Sequence, residues 1–156
     1  MKSNYRMGVG IFLLNKDKKL WVGKRIDFKS NFWQMPQGGI DNNESPKEAM
    51  IRELEEEVGL TNNFDILGET KNWLNYHLPK ELKDKVWNGK YIGQKQKWFA
   101  CNFFGQDKEI NLEAHKPEFS EWKWIDPHEV TKFVVPFKKK LYVNVLEAFK
   151  KYVSYE

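Results

Sequence analysis

Gly38-Gly39-Ile40-Asp41-Asn42-Asn43-Glu44-Ser45-Pro46-Lys47-Glu48-Ala49-Met50-Ile51-Arg52-Glu53-Leu54-Glu55-Glu56-Glu57-Val58-Gly59-Leu60 is the stretch on which the reading of this chain turns. Its middle is a helix by local rules. Ser45 is an N-cap residue, Pro46 takes the first helical position, where its missing N–H costs nothing, and Glu48 closes a capping box onto Ser45. The helix is expected to run to Val58 and stop at Gly59, which tolerates the positive φ of a C-terminal cap. Ile51, Leu54 and Val58, spaced i, i+3 and i+7, are expected to form its apolar stripe. At about 100° per residue, Glu53, Glu56 and Glu57 share a face roughly opposite that stripe. Each like-charged pair costs roughly 0.2–0.5 kcal/mol, and the macrodipole disfavours anions near a helix C-terminus. A divalent cation that prefers oxygen ligands, Mg²⁺ or Mn²⁺, would offset both. Spacing alone also allows a solvated glutamate-rich helix with Arg52 paired to Glu56 at i+4.

Upstream, Gly8–Leu14 is a short apolar run that reads as a buried strand. Asn15–Lys18 is a turn by composition, and Leu20–Arg25 reads as the returning strand of a hairpin. Downstream, Phe64–Leu67 and Glu69–Leu78 carry β-type residues, Lys95–Phe104 reads as a central strand, and Glu121–Ile125 as another short one. Asp126 opens a short helix, and Leu141, Val145, Leu146 and Phe149 give 138–152 helical spacing. Strands and helices mixed without regular βαβ alternation predict an α+β fold or a helix-flanked mixed sheet.

Composition narrows the class. The 156 residues suffice for one domain with a buried core. Seven Trp, six Tyr and eleven Phe exclude a disordered chain. Cys101 is the one cysteine, which excludes an internal disulfide and a multi-cysteine zinc site and favours a reducing, cytoplasmic setting. No apolar run approaches the ~20 residues of a membrane span, and Met1–Arg6 lacks the apolar segment of a signal peptide. The net charge of +4 suits an anionic partner. Its distribution is more telling: acids crowd between Glu44 and Glu57, lysines in 80–97 and 138–140. An acidic patch inside a basic protein is what a metal site for a polyanionic substrate needs.

Gly38, Glu44, Arg52, Glu53, Leu54, Glu56, Glu57, Gly59 and Leu60 match every fixed position of Gly-x5-Glu-x7-Arg-Glu-U-x-Glu-Glu-x-Gly-U, with U aliphatic. In this the chain resembles the Nudix hydrolases. The resemblance implies a loop–helix–loop over 38–60 that binds divalent metal and cleaves a nucleoside diphosphate linked to another group. Trp33–Ile40, Asn72-Trp73-Leu74, Tyr76-x-Leu78-Pro79, Ile92–Phe99 and Pro117-Glu118-Phe119-x-x-Trp122-x-Trp124 are similar to one subgroup, the bacterial RNA pyrophosphohydrolases and the related dinucleoside polyphosphate hydrolases. That likeness implies a single α/β/α sandwich domain over 1–156 with a mixed sheet. Two features depart from it: Met7 follows Arg6 where relatives often have Pro, and Ile26–Asn31, expected near the substrate, looks slightly longer.

Phosphoanhydride hydrolysis needs a positioned water, neutralised phosphate oxygens and an in-line leaving group. Glu53, Glu56 and Glu57 are the expected metal ligands, with Glu57 central, and Gly39 offers a backbone carbonyl. Gly38 and Gly39 let the backbone approach metal or phosphate. Arg52 is expected to hold a motif carboxylate by a bidentate contact, and Glu44 to brace the loop. The resemblance adds Glu118 as a further metal carboxylate. Glu53 and Glu118 are therefore both candidates for the general base. It also implies phosphate contacts from Arg6 and Arg25, and an RNA-base contact at Phe137-Lys138. Gln94, Lys95, Gln96 and Lys97 alternate along a strand, so two of these polar residues share each face, and one pair is expected to reach the cleft. The lysines of 138–140 read more simply as a solvated helix start, the histidines lack metal-ligand spacing, and Trp33, Trp73, Trp98, Trp122 and Trp124 read as core or cleft wall. The functional expectation is a 5′-triphosphate RNA pyrophosphohydrolase, a monomer or weak dimer. The alternatives are a dinucleoside polyphosphate hydrolase and a non-catalytic nucleotide-binding module.

Overall fold

The computed structural model describes residues 4–26 and 31–154. Residues 27–30, inside the segment expected near the substrate, lie outside the described residues. Among the described residues, eight strands form one mixed sheet: β1 (Tyr5–Leu14), β2 (Leu20–Arg25), β3 (Trp33–Gln34), β4 (Gln37–Gly39), β5 (Phe64–Glu69), β6 (Leu74–His77), β7 (Gly93–Phe103) and β8 (Phe119–Ile125). The helices are α1 (Pro46–Val58), α2 (Lys80–Lys83), α3 (Val130–Phe133), α4 (Lys139–Ala148) and α5 (Lys150–Val153).

At the centre, β1 and β7 pair in parallel from Tyr5↔Gly93 to Leu14↔Asn102. The other pairings are antiparallel, β5 and β6 both lying along β7. The expected hairpin forms, but β1 and β2 pair only at Leu14↔Leu20 and then diverge. The strand β2 turns to β3 and β8, and β4 takes the vacated place beside β1, with Gly8↔Gly39 and Val9↔Gly38 in register. This splay carries the glycine pair to the middle of the sheet.

Alternation along β1 sends side chains to two cores. Val9, Ile11 and Leu13 pack with Ala49, Met50, Leu54 and Val58 of α1, while Phe12 and Leu14 pack with Leu141, Tyr142, Val145 and Phe149 under α4. Helices on both faces of one mixed sheet make the α/β/α sandwich. The C-terminal helix is interrupted at Phe149 (φ −112°, ψ 17°), which separates α4 from α5.

The motif helix begins and ends where its caps predict. Ser45 Oγ accepts from Glu48 N (3.1 Å), Glu48 Oε1 accepts from Ser45 N (3.0 Å), and Gly59 adopts φ 81°. Its orientation corrects the wheel reading. Ile51 is 40% exposed, and the buried face is Ala49, Met50, Glu53, Leu54, Glu57 and Val58. The two glutamates flank the apolar stripe instead of opposing it, because α1 lies on β4 and β1 with its acidic edge tucked against the glycine strand.

Candidate active site

Strand β4 and α1 bring Gly38 against Glu53. A Cβ on Gly38 would lie 2.1–2.4 Å from the Glu53 carboxylate, and one on Gly39 would lie 2.1 Å from the Arg6 guanidinium. What opposes a side chain at either position is contact, not dihedral angle. Glu53 and Glu57 are buried, with 8% and 6% of their surface exposed. Glu57 Oε2 accepts from the backbone N–H of Gln37 at 3.2 Å. Burial raises the pKa of both carboxyls. Glu53 then raises Glu57 further, while Arg52 opposes the rise at Glu53.

Arg52 ties the loop to the helix. Its Nε and Nη2 donate to Glu44 Oε2 and Oε1 at 2.7 and 2.9 Å, its Nη2 donates to the Gly39 carbonyl at 2.8 Å, and its Nη1 donates to Glu53 Oε1 and Glu56 Oε2 at 2.8 and 3.2 Å. Its hydrogen bonds hold the Glu44 carboxyl below the usual range. Glu44 Oε1 also accepts from Asp41 N at 2.9 Å, within the loop that leads into α1.

The glycine pair and the carboxylates of Glu53, Glu56 and Glu57 line a cavity of about 400 Å³, with Arg52 and Glu44 behind it. Of the residues singled out in the sequence, it gathers Arg6, Arg25, Gly38, Gly39, Glu53, Glu56, Glu57, Glu118, Phe137 and Lys138. Arg25 Nη2 lies 3.4 Å from Glu118 Oε2. Lys138 is 6% exposed, so it is no solvated helix start. Its ammonium donates to Gln34 Oε1 at 3.5 Å and lies 5.1 Å from the Tyr76 ring centroid. Gln94, Lys95 and Lys97 are placed outside this cavity. Gln94 and Gln96 face inward as a buried amide pair, and Gln96 Oε1 accepts from Trp98 Nε1 at 2.8 Å. Lys97 donates to the carbonyls of Thr70 and Lys71, both at 2.9 Å, and Lys95 Nζ lies 4.9 Å from the Tyr5 ring centroid.

Gln37, Tyr76, Trp87 and His115 also line the cavity, and sequence reasoning gave none of them a role. Gln37 Nε2 donates to the Tyr76 hydroxyl at 3.5 Å. His115, given no role from its spacing, has Nε2 3.8 Å from Glu56 Oε1. Trp87 holds its ring centroid 5.3 Å from the Arg6 guanidinium. Gln37 and Tyr76 fell within the Trp33–Ile40 and Tyr76-x-Leu78-Pro79 patterns without a role assigned, and Trp87 fell in no pattern. Lone His, Gln and Trp residues give no local signal.

The donors fit a hard divalent ion: carboxylate oxygens and a backbone carbonyl, with two of the carboxylates, Glu53 and Glu57, buried together. Among the described residues, no three His, Cys, Asp or Glu side chains converge as a ready metal cage. Glu56 is turned to Arg52 and Glu118 to Arg25.

Buried carboxylates and basic side chains around one cavity on this sheet define a site for polyphosphate chemistry. The chain belongs to the NUDIX domain family, whose model matches residues 4–145. It is 50% identical over 149 residues to the RNA pyrophosphohydrolase of Pelagibacter ubique (strain HTCC1062), spanning 96% of this chain and 94% of that one. It is 49% identical over 142 residues to the RNA pyrophosphohydrolase of Rhodospirillum rubrum, spanning 91% and 85%. The fold is similar to that of the E. coli dihydroneopterin triphosphate pyrophosphohydrolase, with TM-score 0.69 and 17% identity over 92% of this chain and 97% of that one.

Proposed function

We propose that this protein is a divalent-metal-dependent RNA pyrophosphohydrolase. It hydrolyses a phosphoanhydride of a 5′-triphosphate RNA end and leaves a 5′-monophosphate. One observation carries the reading: Glu53 and Glu57, buried side by side, share a cavity with Arg6, Arg25 and Lys138. The near full-length relatives named RNA pyrophosphohydrolase favour RNA as the substrate.

Glu53, Glu56 and Glu57, with Glu118 and the Gly39 carbonyl, would hold the metal, Mg²⁺ or Mn²⁺. When bound, it supplies charge neutralisation and an acidified water. Arg6 and Arg25 bind the phosphate oxygens and hold the chain in line. Glu53 or Glu118 accepts the proton of the attacking water. Arg52 positions Glu53 and Glu56 without touching substrate. Phe137, Tyr76 and Lys138 form a wall on which a 5′-end base stacks beside a cation. The one cysteine, Cys101, is a buried free thiol, which supports a reducing cytoplasmic setting.

The test compares kcat/KM for a short 5′-triphosphate RNA and for diadenosine tetraphosphate under Mg²⁺. The RNA is expected to be converted much faster, and Glu57→Gln to lower turnover at least ~10²-fold in a folded protein. Dominant cleavage of the dinucleotide would replace the RNA reading. Tight RNA binding without turnover under either metal would make the chain a binding module.

A further inference from the structure

Tyr76 and Phe137 line more than the catalytic cavity. Their ring centroids lie 5.8 Å apart, and both rings also line a second cavity of about 460 Å³. It opens between β6 and the start of α4. Among the described residues β6 pairs only with β7, so it is an edge strand. The remaining polar and aromatic lining is Trp73, Asn75, His77, Lys140 and Asn144, and among the described residues no Asp or Glu lines the cavity.

That composition is uneven for a surface with 22 acidic residues in the chain. Trp73 is 37% exposed, a large apolar surface left open beside polar groups. Its indole has Lys97 Nζ 5.9 Å from the ring centroid. Lys140 and Asn144 are exposed on the facing helix. An open aromatic face offers stacking to any base, amides offer hydrogen bonds to base edges, and an ammonium without a carboxylate nearby attracts a phosphodiester.

We propose that this groove is a subsite for the single-stranded RNA that follows the triphosphate end, with Trp73 stacking a base and Lys140 pairing with a phosphodiester. The proposal rests on the RNA reading of the catalytic cavity and deepens it. Continuity gives the path. A chain whose triphosphate lies by Glu53 and Glu57 and whose first base leans on Phe137 reaches the second cavity next, because Phe137 and Tyr76 are common to both.

The test uses two 5′-triphosphate RNAs with the same first two nucleotides, one two nucleotides long and one six. The wild-type enzyme is expected to show a lower KM for the longer RNA. Trp73→Ala and Lys140→Glu, both at exposed positions, each raise that KM about fivefold or more, with kcat and the shorter RNA little changed. Trp73→Phe retains most of the length preference. Wild-type cleavage with no length preference, or an equal loss on both RNAs in the variants, overturns the groove and leaves the RNA reading standing. A wild-type protein that cleaves neither RNA overturns both.

Discussion

Gly38 shows how little room separates the backbone of β4 from the helix carboxylates. The group that a Cβ would strike is the end of the flexible Glu53 side chain, so Gly38→Ala is expected to fold and to displace that carboxylate. An ångström of misplacement at a reacting group costs about 10²-fold in rate. The expected result is a fall of that order in kcat with an unchanged circular dichroism spectrum. An unchanged kcat would separate the position of Glu53 from catalysis. The neighbouring Gly39 and the ring of Trp87 hold Arg6 between them. Trp87 does so from φ 51°, with Asn88 following at φ 57°, a backbone region that bulky residues seldom occupy. The glycine pair was visible in the sequence as a motif. Trp87 was not, because neither its dihedral angle nor its partner more than eighty positions upstream leaves a local trace.

For the elements, α1 was the most legible, since every signal that bounds it is local. Ser45, Pro46, Glu48 and Gly59 fix its ends through contacts within a turn. Its facing was less legible. A wheel places Glu53 about 100° from Leu54, and charge alone favours the outside. The fold instead buries Glu53 and Glu57 against β4, and Ile51 turns outward. Two substitutions separate the helix as structure from the helix as site. Ser45→Ala removes the cap and is expected to cost about 1 kcal/mol, read as a small fall in melting temperature at unchanged kcat. Arg52→Lys keeps the charge and loses the fork that reaches Glu44, Gly39, Glu53 and Glu56 together. It is expected to lower both melting temperature and kcat, and a variant that loses stability alone would make Arg52 a brace without influence on the carboxylates.

Across the whole molecule, the sequence carried strand identity better than strand neighbours. The central position of β7 followed from its apolar run, but its parallel pairing with β1 joins segments about ninety residues apart, and no period reports that. The same holds for β4 displacing β2, which is what brings loop and helix together. The resulting burial of two carboxylates has a global consequence. In the unfolded chain Glu53 and Glu57 release their protons near 4.5, and in the fold their pKa values are raised, chiefly by burial. Between those values the folded state binds more protons than the unfolded one, so stability falls as pH rises. The contribution is complete below the unfolded value and is lost as pH passes through the folded values. A divalent ion on the ionised pair removes the penalty by supplying the charge that burial denies it. In chelator, the melting temperature is therefore expected to fall as pH rises above the usual carboxylate range, less steeply in Glu57→Gln than in the wild type. Added Mg²⁺ is expected to flatten the wild-type curve and to have little effect on the variant. Parallel curves for the two proteins in chelator would mean that the buried pair is ionised without penalty, and the electrostatic case for a cation between Glu53 and Glu57 would fall.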